Sequence, residues 1–120
     1  MVNNRTRHLD RIFSALGDPT RRAILARLER EDALTVSALA EPFDIKLPAV
    51  MKHLDVLSEA GLIRRSKTGR TVTVELSPDP LRGAADWLQR YERFWSARLD
   101  RLAIYAEAKE KEMEAKEKRR

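Results

Sequence analysis

The sequence predicts a mainly α-helical fold that carries one β-hairpin and ends in a long helix. Three observations lead there. Apolar residues recur at three- and four-residue spacing in successive short segments before residue 61. The period drops to two across "LIRRSKTGRTVTVEL" (62–76). After "SPDP" (77–80) the helical spacing returns and runs past residue 100.

The first helix lies in "TRHLDRIFSALG", where Leu9, Ile12, Phe13 and Leu16 share a face and Gly17 closes the segment. "DPTRRAILARLER" starts a second. Asp18 is a good N-cap, and Pro19 suits the first helical position, where its missing N–H costs nothing. Ile24, Leu25 and Leu28 are its buried stripe. "LTVSALAEPF" is a third, short helix. Thr35 can cap it, Leu34 can pack on Leu39 as a hydrophobic staple, and Pro42 ends it.

The fourth helix, "PAVMKHLDVL" (48–57), has two unlike faces. Leu47, Val50, Leu54 and Leu57 form a core stripe. The other face carries Pro48, Ala49, Lys52 and Val56, small and apolar for a solvated surface, with Met51 and His53 on the boundaries. Lys46 is a poor capping residue, and Gly61 in "SEAGLI" is a helix stop. In the hairpin, Val72, Val74 and Leu76 share a face, and Gly69 in "KTGR" supplies a positive-φ turn position. A long helix is then expected from Pro80, with Asp79 as its cap. Trp87, Tyr91, Phe94, Trp95, Leu99, Leu102 and Tyr105 form its stripe. The end, "AEAKEKEMEAKEKRR", loses the stripe. Glu107–Lys111, Glu112–Lys116 and Glu114–Lys118 are favourable i,i+4 pairs, each contributing about 0.2–0.5 kcal/mol. The expected division is 1–105 as one domain and 106–120 as a charged helical tail.

The chain has 120 residues, 36% of them charged, and a net charge of +5, a balance that fits a polyanionic partner. It has no cysteine, which removes disulfides, thiolate metal sites and cysteine nucleophiles. "MVNNRTRHLD" contains no apolar run, so no signal peptide is expected, and no stretch approaches the roughly 20 apolar residues of a membrane span. No carboxylate pair, serine motif or phosphate loop stands out, so neither an enzyme nor a cofactor is expected.

Three short helices, a tight turn between the third and fourth, and a hairpin describe a winged helix–turn–helix. Its second helix enters the DNA major groove, and its first residues meet base edges. That gives the odd face a role. Pro48 and Ala49 permit close approach, Lys46 and Lys52 reach bases or phosphates, and His53 can donate. Met51 is either a thymine-methyl contact or the edge of the core. Arg64, Arg65, Lys67 and Arg70 crowd the wing, where cations grip phosphates. A winged helix that binds proteins instead predicts apolar wing contacts, and these four cations argue against it. The Trp87, Tyr91, Phe94 and Trp95 cluster has the size of a ligand-pocket lining, but a stripe of this kind is more often core or dimer interface.

"FSALGDPTRRAILARL", "LTVSALAEPFDIKLPAVMKHLDVLSEAGLIRRSKTGRTVTVEL" and "ADWLQRYERFWSARLDRL" together resemble the ArsR/SmtB-type winged-helix repressors of bacteria, over about Leu9 to Leu102. The resemblance implies a cytoplasmic, nucleoid-associated homodimer that binds an inverted-repeat operator in double-stranded DNA and represses its own operon. It also implies subunits joined by the first and last helices, which puts Leu9, Ile12 and Phe13 with Trp87, Tyr91, Phe94, Trp95, Leu99 and Leu102 at the expected interface. Metal-sensing branches have a cysteine pair on the third helix, or histidine and acidic ligands on the last. Here the third helix reads "VSALAEPF", and the only histidines are His8 and His53. The resemblance is therefore to a branch without metal ligands, with room for a small-molecule effector. Related reading helices commonly have serine in place of Met51, and often in place of Lys46, so the operator sequence is expected to be this chain's own.

Overall fold

The computed structural model describes residues 4–119, so residues 1–3 of the opening stretch lie outside the description. The elements are α1 (Asn4–Leu16), α2 (Pro19–Arg30), β1 (Leu34–Thr35), α3 (Val36–Ala40), α4 (Leu47–Glu59), β2 (Ile63–Thr68), β3 (Thr71–Leu76), α5 (Leu81–Gln89) and α6 (Glu92–Lys118). They fall into two compact units, 1–85 and 86–120.

The caps of the first unit form as their residue types require. The Asp18 carboxylate accepts from the Arg21 N–H at 3.0 Å, and the Thr35 hydroxyl accepts from the Ala38 N–H at 3.1 Å. Lys46 makes no side-chain cap, and only its carbonyl accepts from Ala49 and Val50. Gly61 (φ 74°) and Gly69 (φ 63°) occupy the left-handed region.

The core of this unit gathers Val50, Leu54 and Leu57 of α4, Ile24 and Leu28 of α2, Leu39 of α3, and Leu62, Ile63 and Val74 around the hairpin. Burying a side chain of this kind fully stabilises by about 1.5–3 kcal/mol. Residues at every third or fourth position of α4 are inside because that helix lies across α1, α2 and β2.

Four expectations need correction. Leu34–Thr35 is not only a cap and staple. It is a short strand that pairs antiparallel with β3, so the hairpin becomes a three-stranded sheet of order β1-β3-β2. Leu47 stands at the head of its stripe but is 52% exposed, because α4 begins before it reaches the core. Val56, placed on the face away from the core, packs against it. The expected long helix is two helices. At Arg90 and Tyr91 the backbone makes i→i−3 bonds, from Arg90 N–H to Trp87 O and from Tyr91 N–H to Leu88 O, and α6 starts afresh at Glu92.

The second unit is dominated by α6, whose 27 residues span about 40 Å. Trp87 and Tyr91 meet in a tilted contact with ring centroids 5.1 Å apart, and the Tyr91 ring centroid lies 6.5 Å from that of Phe94. None of the α6 residues is buried. Phe94, Trp95, Leu99, Leu102, Ile104 and Tyr105 are all exposed. The helix continues without a break through the charged tail to Lys118.

Candidate nucleic-acid interface

The α3–α4 pair and the hairpin are held together by the shared core, and this fixes where the polar side chains go. Pro48 and Lys52 are exposed on α4, as is Lys46 just before it, while Ala49 is half-buried. Neither lysine side chain has an ion pair or hydrogen bond among the described residues. The uncapped start of α4 also presents the positive end of a 13-residue helix.

The wing register sorts its four cations. Arg65 lies opposite Val74 and Lys67 opposite Val72, while Arg64 lies opposite Glu75. Residues directly opposite in an antiparallel pair share a face. Arg65 is therefore on the core side, and its guanidinium donates to Asp55 of α4 at 2.8 Å. Arg64 meets Glu75 at 3.4 Å on the other side. Lys67 and Arg70 have no partner among the described residues. Gly69 and Arg70 form a two-residue loop between the strands, with the positive φ at its first position, as a type II′ turn requires.

Between α4, the start of α3 and the wing lies an open groove of about 410 Å³. Val36, Met51 and Val72 are its half-buried members, and Thr35, Ser37, Leu47, Arg70 and Thr71 are exposed around it. Met51 belongs to both regions, since it packs on the core cluster while it lines the groove.

His53 stands less free than the sequence implied. Its Nδ1 is 3.2 Å from Nη1 of Arg21 and 3.9 Å from Oδ2 of Asp18, so α4 is tied to the start of α2. The Asp18 carboxyl is held below its usual pKa, first by the hydrogen bond from the Arg21 backbone N–H, while burial opposes the shift. Arg21 and Asp55 were not singled out in the sequence. Their partners lie 32 and 10 residues away, and no local pattern marks such pairs.

Of the expected interface residues, Leu9 and Phe13 are half-buried, and the stripe from Trp87 through Tyr91, Phe94, Trp95 and Leu99 to Leu102 is exposed. Ile12 differs. It is fully buried within the chain and has no surface to offer a partner, so it is core. Among the described residues no group of three or more His, Asp or Glu side chains could hold a metal ion. Among the described residues no helix is long and apolar enough to cross a membrane.

A helix–turn–helix whose second helix is exposed at its start, beside a cationic three-stranded wing, defines a winged helix–turn–helix protein. A family model described as a helix-turn-helix domain matches residues 16–66. The transcriptional repressor SdpR of Bacillus subtilis is 31% identical over 83 residues, covering 69% of this chain and 91% of that protein. The HTH-type transcriptional regulator Rv2034 of Mycobacterium tuberculosis is 38% identical over 90 residues, covering 75% and 80%. A crystallised ArsR family transcriptional regulator has a TM-score of 0.70 at 43% identity, with 80% of this chain and 97% of the other covered. The chain belongs to the ArsR family of winged helix–turn–helix regulators, without detectable metal-binding residues among those described. It is a DNA-binding regulator of transcription and not an enzyme.

Proposed function

We propose that the protein is a homodimeric repressor, acting in the cytoplasm on the nucleoid, that reads an inverted-repeat operator with α4 in the major groove. Lys46, Pro48 and Ala49 approach base edges, Met51 forms the core-side edge of the groove beside them, and Lys52 takes a phosphate or a guanine edge. Lys67 and Arg70 grip the neighbouring backbone, while Arg64 and Arg65 add to the field from their ion pairs. The observation that carries the reading is the set of cations whose side chains are unpaired among the described residues, Lys46 and Lys52 at the exposed start of α4 and Lys67 and Arg70 on the wing.

The exposed apolar stripe of α6 supports the dimer, because a patch of that extent on a helix calls for a partner. Leu9 and Phe13 of α1, half-buried, are also available to a partner subunit. On this reading 1–105 holds the DNA-binding and dimerisation parts, and 106–120 is a solvated extension. Repression of its own operon follows the family resemblance and the repressor named among its relatives. The donor set, without thiolates or a histidine cluster, supports release by something other than a metal.

Binding-site selection with the purified protein tests the proposal. Retained duplexes are expected to share an imperfect inverted repeat with half-sites about one helical turn apart, or a multiple of it. Retention without sequence preference, or a preferred site without two-fold symmetry, would overturn it.

A further inference from the structure

Arg21 sits in the first turn of α2, two residues after Pro19. Its guanidinium lies across the last turn of α1: Nε donates to the Ala15 carbonyl at 2.8 Å, and Nη2 to the Ser14 carbonyl at 3.0 Å. These two bonds fix the guanidinium plane, and the remaining nitrogen, Nη1, lies 3.2 Å from Nδ1 of His53 on α4.

An arginine nitrogen only donates. Nδ1 of His53 must therefore accept, so it carries no hydrogen. A neutral imidazole with a bare Nδ1 carries its hydrogen on Nε2. Asp18 does not compete for that nitrogen. Its Oδ2 stands 3.9 Å away, beyond hydrogen-bonding range, and already accepts from the Arg21 N–H.

The other ring nitrogen has no partner among the described residues, since Arg21 and Asp18 both meet Nδ1. No buried side-chain nitrogen or oxygen among the described residues lacks a hydrogen bond, so Nε2 must reach solvent. The side chain is 22% exposed. His53 lies one helical turn after Ala49 and next to Lys52, on the part of α4 assigned to DNA.

We infer that Arg21 is a positioning residue that holds His53 in its Nε2–H form, and that this N–H is donated to an acceptor on the duplex, a phosphate oxygen or a base-edge acceptor. The donor half of the inference rests on the proposed DNA-binding reading; the tautomer half does not. The arrangement converts a side chain with two interchangeable nitrogens into a one-way donor. It also ties the reading helix to the α1–α2 corner, so the donor is fixed in place as well as in kind.

Long-range 1H–15N correlation NMR on the free labelled protein at alkaline pH reads the tautomer directly. The expected pattern is that of an Nε2–H imidazole, shifting to a mixture in Arg21→Leu. Arg21→Lys keeps a donor and guards against loss of the fold, and it should retain the Nε2–H signature. An Nδ1–H signature in the unmutated protein would overturn the inference.

Duplex titrations of His53→Gln and His53→Asn then test the donor. The glutamine amide reaches the position of Nε2, and the asparagine amide only that of Nδ1. Operator affinity should fall about tenfold in His53→Asn and stay within a few-fold in His53→Gln, as loss of one hydrogen bond predicts. Loss on operator and random duplex alike marks a phosphate acceptor, and loss on the operator alone a base edge. Either result supports the donor. Equal binding by both variants and the unmutated protein would refute it. If the unmutated protein binds no duplex, the donor half falls together with the DNA-binding proposal, while the tautomer result is decided by the NMR.

Discussion

Trp95 offers the sharpest test of the dimer. It leaves 45% of its surface exposed on α6. A tryptophan presents roughly 250 Å², so about 110 Å² remains for a partner to cover, or about 2.8 kcal/mol at about 25 cal/mol per Å². A two-fold interface contains the residue twice, which sets an upper limit of about 5.5 kcal/mol. Area converts only partly into affinity, and alanine keeps its Cβ, so about half is expected, near 2.7 kcal/mol. Trp95→Ala should therefore weaken dimerisation about 100-fold. Sedimentation velocity across a concentration series measures this, and operator binding should fall in step. A Trp95→Phe variant should lie between. Thermal melting at high protein concentration checks that the fold is intact. A shift of less than about threefold with unchanged melting would refute the placement of Trp95, and a monomeric unmutated protein at micromolar concentration would refute the dimer.

Three further outcomes are expected. Lys67→Ala and Arg70→Ala, which remove unpaired cations, should each flatten the dependence of log affinity on log salt by about 0.9, while Arg64→Ala, paired with Glu75, should change it less; equal slopes for all three would contradict the sorting of the wing. Met51→Ser removes a side chain packed on the core, so its melting temperature should fall by the equivalent of about 1–2 kcal/mol. A site selection that changes at one T·A pair with no loss of stability would instead make Met51 a base reader. Asp18, whose folded pKa is depressed, contributes stability that is present above its unfolded pKa and is lost as pH falls through the folded value, in the window below about pH 4. The acid limb of the stability profile should be shallower in Asp18→Asn, and an unchanged limb would show that this carboxylate does not drive it.

The sequence by itself determined whatever depends on neighbours along the chain. The helix starts at Asp18 and Thr35, the stop at Gly61, the turn at Gly69 and the core stripe Val50–Leu54–Leu57 all follow from local conformational preference and helical periodicity, and all are present. The candidate surface was legible on the same grounds, since four cations around a glycine turn and a small, apolar helix start are local patterns. Only the tertiary structure decided the rest. Two residues at Leu34–Thr35 are too few to show a strand period, and they are a strand because β3 has a free edge beside them. The break at Arg90–Tyr91 has no proline or glycine to announce it. Ile12 and Phe13 are adjacent on one apolar stripe, yet one is wholly buried and the other half-exposed, a difference set by what packs over the helix. Arg65 and Lys67 look alike in sequence, but register puts Asp55 within reach of one and nothing within reach of the other. The ties of Arg21 and Arg65 to α4 are long-range, and a periodicity carries no information about which distant residue a charged side chain will meet. Local sequence sets the type of each element, while the partner of each side chain is set by the way the elements close on one another.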